Sequence, residues 1–260
     1  DGQGVLSHTL SFKAREVLPL KGQPGTPHLE YNVRQATVSY YGNNMNLLAD
    51  DASVDEDSVA LKQITLSLRG QTTPFNSFSA ESLIKASTRT LFVNYLVEKP
   101  DGQTLTSHSV TLRKDGSVRN ITVFGYGDKG ELLAGDASIE SDAVAKTQTT
   151  FRPTAIMRLL KPDQTRFDSM DAYERRFRKM ETRYFIEKED NQSLLHYTVS
   201  WKHRFNPDRA QHFYEARSWT VAGYGKDGEL LATDASLDPE SVAITQTTFR
   251  KNPKLAGVEL

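Results

Sequence analysis

Polar and apolar residues alternate over short stretches of this chain, and turn residues interrupt the alternation. Residues 107–113 show the two-residue period of a strand with one buried face. Residues 120–126 alternate again, with Ile121 and Val123 on one side. Residues 95–98 are a run of β-forming side chains, and the turn pair Asp101-Gly102 follows them. Asp227-Gly228, between Tyr224 and Leu230, predicts a hairpin because Asp-Gly accepts the positive φ of a type I′ turn. Asp238-Pro239-Glu240-Ser241 reads as a capped helical turn, with Pro where its missing N–H costs nothing. Residues 244–250 return as a strand.

Two stretches carry a helical period instead. Ser79 is placed to cap a helix over 80–87. Further on, Met170, Tyr173, Phe177, Met180 and Tyr184 recur at intervals of 3, 4, 3 and 4, one apolar helical stripe. Asp171 with Glu174 has the form of a capping box, and Arg175, Arg176, Arg178 and Lys179 occupy the other face. The pattern predicts an amphipathic helix packed on a sheet with its basic face in solvent.

The strand pattern repeats. Tyr41, Tyr126 and Tyr224 each lead through a Leu-Leu-Ala stretch and an Asp-Ala-Ser triplet into Val-Ala and then Gln63, Gln148 or Gln246. The first two copies stand 85 residues apart and the last two 98 apart, with no gap inside the block. Upstream, residues 95–105 match 184–194 at an offset of 89, so the third copy has nine extra residues around His203 to Phe213. Asp1-Gly2-Gln3 matches Asp101-Gly102-Gln103, so the first copy starts after the position of that leading strand. Short strands with regular turns predict an all-β fold: three tandem immunoglobulin-like β-sandwich repeats with short helical linkers. The expected division is 1–74, a first repeat lacking its first strand; 75–160, a helical linker and second repeat; and 161–260, the amphipathic helix and third repeat. The unit resembles immunoglobulin-like extracellular modules in strand count and turn spacing alone, which implies a fold and no activity.

Composition narrows the function. The 260 residues hold 32 Lys and Arg against 33 Asp and Glu, a net charge of −1 that argues against nucleic acid as partner. No apolar run is long enough to cross a bilayer as a helix. The sequence has no Cys, which removes disulfides, thiolate metal sites and thiol nucleophiles. A chain beginning at Asp1 rather than Met reads as a mature secreted, periplasmic or cell-surface protein.

Chemistry is sparse. No G-x-S-x-G, H-E-x-x-H, P-loop or dinucleotide fingerprint occurs, so no catalytic residue, cofactor or metal is expected. His8 and His108 fall at equivalent repeat positions, which gives them a structural role. Acidic residues recur in each copy: Asp50, Asp51, Asp55, Glu56 and Asp57; then Asp136, Glu140 and Asp142; then Asp234, Asp238 and Glu240. Such oxygens can hold Ca²⁺, but recurrence in every copy favours turn capping. The expanded third copy supplies the one candidate partner-binding loop, with His203, Arg204, Asp208, Arg209 and His212. Trp201 aligns with Leu112 and Phe12, and Trp219 with Ile121, which places both in the core.

The function expected from these features is that of a non-enzymatic, exported structural or adhesive protein. The missing leading strand suggests a homo-oligomer built by strand donation, with the first copy as acceptor. The alternative is an extracellular or periplasmic accessory module that binds a glycan, peptide or protein partner. A hydrolase with an unrecognised site is a third and weaker reading.

Overall fold

The computed structural model describes residues 5–17, 28–68, 79–154, 157, 159–206 and 211–250. The strands follow one another as β1 (His8–Val17), β2 (His28–Tyr40), β3 (Lys62–Ser67), β4 (Arg89–Glu98), β5 (Thr104–Leu112) and β6 (Val118–Gly125). Then come β7 (Thr147–Pro153), β8 (Phe177–Glu187), β9 (Ser193–Asn206), β10 (Gln211–Gly223) and β11 (Thr245–Arg250). Helix α1 (Ala80–Ala86) precedes β4, and α2 (Met170–Arg176) precedes β8.

The all-β class holds: the chain is mostly strand, in one open antiparallel sheet of 11 strands in chain order. Three separate immunoglobulin-like sandwiches are not what the strand order shows. The last strand of one unit pairs with the first strand of the next, as Lys62 opposes Tyr95 and Thr147 opposes Tyr184. The physical reason is that a strand's second hydrogen-bonding edge must be paired or exposed. The leading strand of the following unit supplies that pairing, so the units merge rather than close.

The repeat is visible as the same bonds at the same offsets. The hydroxyls of Tyr41, Tyr126 and Tyr224 donate to the carbonyls of Leu6, Thr106 and Leu195, at 2.6, 2.8 and 2.7 Å. On the sheet, Thr37 bonds Thr65, Thr122 bonds Thr150 and Thr220 bonds Thr248, hydroxyl to hydroxyl. Bulges recur too. Each β1–β2-type hairpin slips by one residue at an arginine, which is Arg34, Arg119 or Arg217.

One face of the sheet is apolar and covered. Its main core joins Met45, Val93, Tyr95, Val110, Ile121, Phe151, Tyr173 and Phe177, so it draws on β4 to β8, α2 and the loop after β2. A second cluster packs Leu83 of α1 on Val38, Leu66 and Leu68. The opposite face carries the threonine pairs and is polar.

The helical expectations are met in part. Ser79 caps α1 and exchanges hydrogen bonds with Ser82 in a capping box. The long apolar stripe is not one helix: α2 stops at Arg176, and Phe177 begins β8. From Phe177 onward the backbone pairs with β7, and from Glu181 with β9 as well, and these ladders outweigh a marginal helical preference. Asp171 is not the cap either; Ser169 accepts from the Ala172 amide, and Asp171 sits in the first turn. The basic residues are not all solvated. Arg176 lies over the Phe167 ring, and Lys179 pairs with Glu174 at 2.7 Å and lies over Trp201.

Candidate functional site

The three loops that follow β2, β6 and β10 crown one end of the sheet. Each begins with a tyrosine bridged to a leucine, at Tyr41–Leu47, Tyr126–Leu132 and Tyr224–Leu230. In each, an aspartate carboxylate accepts from the serine two residues on, through both its amide and its hydroxyl. The pairs are Asp51 with Ser53, Asp136 with Ser138 and Asp234 with Ser236. Those bonds favour the carboxylate and hold all three pKa values below the ordinary range. Among the described residues, no group of three His, Cys, Asp or Glu is placed to hold a metal ion. Asp51, Asp136 and Asp234 shape their turns through these serine bonds.

The third-copy expansion is a lengthened hairpin. His203 and Arg204 stand in β9, and His212 stands in β10 opposite Phe205. Asp208 and Arg209 lie outside the described residues. The His203 ring is 5.5 Å from that of Tyr214, and Arg204 pairs with Glu215 at 3.2 Å. Tyr214 ties the hairpin down: its hydroxyl donates to the Phe177 carbonyl at 2.9 Å. So Phe177 and Tyr214, which the spacing did not single out as partners, connect the expansion to the start of β8.

The tryptophans are half-buried. Trp201 donates its indole N–H to the Thr182 hydroxyl at 2.9 Å, and Trp219 pairs across the ladder with Phe249. Their setting explains the exposure: α1 covers the sheet ahead of β4 and α2 covers it ahead of β8. No such helix follows β11 among the described residues.

That difference marks β11 as the unusual strand. Leu66, Phe151 and Phe249 are equivalent positions of β3, β7 and β11. The first two are 3% and 0% exposed, and Phe249 is 53% exposed. Val242 and Ile244, just before β11, are also exposed. Both β3 and β7 have partners on each side, whereas among the described residues β11 pairs with β10 alone.

No family model matches the sequence, and no curated protein matches it either.

Proposed function

We propose that this is a non-enzymatic, exported structural or adhesive protein that assembles by strand addition. The observation that supports it is the exposed, singly paired β11, whose counterparts β3 and β7 are covered and paired on both sides. An open edge strand is a template for another strand. Strand parity favours a donated strand over direct contact. β1 and β11 run the same way in the antiparallel order, so one added strand between β11 of one copy and β1 of the next preserves the alternation. It would take the place that β4 and β8 take within the chain. The terminal segment 251–260 is the proposed donor, and the contact is head-to-tail, which propagates rather than closes.

Light scattering of the eluting protein across a concentration series tests the reading. Full-length chains should form a ladder of oligomers that survives high salt, and a chain truncated after residue 251 should remain monomeric. A full-length chain that stays monomeric throughout, or a truncated one that forms the same ladder, would reject strand donation. The second reading, an accessory module binding a glycan, is favoured by the polar face with its threonine pairs.

A further inference from the structure

Charge along the strands is sorted by level. The three crowning loops, 41–61, 126–146 and 224–244, hold 15 of the 33 acidic residues and only three of the 32 basic ones. Below the loops stands a row of arginines, midway along β2 and β10 and at the start of β6. Arg34, Arg119 and Arg217 are the bulged residues of their hairpins, and all three are exposed. A bulge re-aims a side chain, and such features recur beside functional surfaces. Four strands separate each from the next, so at the usual strand spacing they stand about 19 Å apart.

Further arginines fill the intervals on the polar face. Arg152 and Arg250 each lie two residues beyond a paired threonine, Thr150 and Thr248, and therefore share its face. Arg178 stands directly opposite Arg152 in the ladder. Like charges directly opposite cost stability. No ion pair links Arg119, Arg152 or Arg178 to a carboxylate among the described residues. Arg113, Arg119 and Arg152 line one open cleft of about 640 Å³. The carboxylate in that cleft, Asp115, is engaged by the amide and hydroxyl of Ser117.

We propose that this row binds an anionic polysaccharide laid across the strands along the line of the bulged arginines. The spacing fits a long, periodic polyanion rather than a small ion. Hydroxyl side chains beside the row, among them Thr150, Ser200 and Ser218, suit sugar hydroxyls, and Glu181, which stands between Thr150 and Ser200, is engaged by Arg183. Nucleic acid would call for an aromatic platform beside each cation, and on the polar face between Arg34 and Arg119 the described residues place the partly buried Phe92, opposite Thr111. The acidic loops of a second copy are a poorer fit, because Asp51, Asp136 and Asp234 already accept from their serines. The inference rests on the glycan-binding reading and is independent of strand addition.

The test is titration calorimetry of the full chain with a size-defined heparin oligosaccharide, with uncharged dextran and a single-stranded oligonucleotide of equal charge alongside. Heparin should bind, more weakly as salt rises, and dextran should not. Arg34→Gln, Arg119→Gln and Arg217→Gln combined should weaken binding by about tenfold or more. The pair Arg152→Gln and Arg178→Gln should weaken it while raising the melting temperature, as the like-charge opposition is relieved. Lys129→Gln with Lys226→Gln, at the acidic end, should leave binding unchanged. Wild-type affinity in both arginine variants would overturn the proposal, as would tighter binding of the oligonucleotide. Salt-sensitive association of the protein alone, lost in the triple variant, would assign the row to a second copy and overturn it too. Salt-resistant oligomers that persist in the triple variant concern strand addition only and leave the row's ligand to the calorimetry.

Discussion

At the scale of single residues, two turns carry the loops. Gly130 and Gly228 have φ of +69° and +77°, and a Cβ at either would lie 2.4 or 2.3 Å from the threonine beneath, Thr147 or Thr245. Valine there meets both strain and collision. Gly130→Val should cost about 3 kcal/mol, and Gly228→Val about half of that because β11 is an edge that can shift. Chemical denaturation of both variants checks the order. Met45 occupies the same repeat position at φ +53° and turns its side chain into the main core, which offsets the strain. His108 is the residue that links stability to pH. It stacks on Tyr95 at 4.5 Å, and its Nε2 lies 3.0 Å from the Thr165 hydroxyl. Burial, with Arg166 nearby, pushes its pKa down to about 3. The unfolded chain takes up that proton near the ordinary histidine value, and the folded chain refuses it until about 3. His108 therefore costs nothing above the ordinary value and destabilises the fold increasingly as pH falls toward the lower one. Denaturant midpoints measured from neutral pH to pH ~4 should fall more steeply in the wild type than in His108→Phe.

At the scale of elements, α2 shows how short a helix can be when packing supports it. Seven residues are too few to be stable alone. Tyr173 makes the difference, buried against Phe151 at 5.8 Å and edge-on to Phe167 at 5.0 Å. Tyr173→Ala should cost about 3–5 kcal/mol and lower the thermal midpoint. Val242→Ala, at an exposed site just before β11, should change it by less than about 0.5 kcal/mol. The Met170-to-Tyr184 stripe looked like one helix because the local spacing satisfied a helical period. Strands on either side of β8 decided otherwise, and no local pattern reports such neighbours.

At the scale of the whole molecule, the sheet is covered in its middle and open at its last strand. Every residue of β11 is exposed, whereas the equivalent strand β7 buries alternate residues from Thr147 to Pro153. Amide exchange followed by mass spectrometry should therefore be fastest in β11 and slowest in β5 to β7, with β3 between them. Equal protection of β7 and β11 in the isolated chain would mean that something covers β11 in solution. The main core spans residues 45 to 177, so losses at Met45 and Phe177 should act on one cooperative transition rather than two.

The sequence by itself determined the three copies, their turns and the all-β class. Those features are local: Asp-Gly pairs demand a positive φ, and alternation demands a two-residue period. It also located the expansion from His203 to Phe213, though as a loop and not as longer β9 and β10 strands. Only the tertiary structure decided that the copies share one sheet, since each strand's second edge takes its partner from a different part of the chain. It also decided that Phe249 is exposed where Phe151 is buried, because burial depends on whether a helix arrives above the strand. The spacing of the acidic loops and of the arginine seven residues before each loop's tyrosine was written in the residues throughout. It became a surface only once antiparallel pairing brought Arg34, Arg119 and Arg217 to the same level of one sheet.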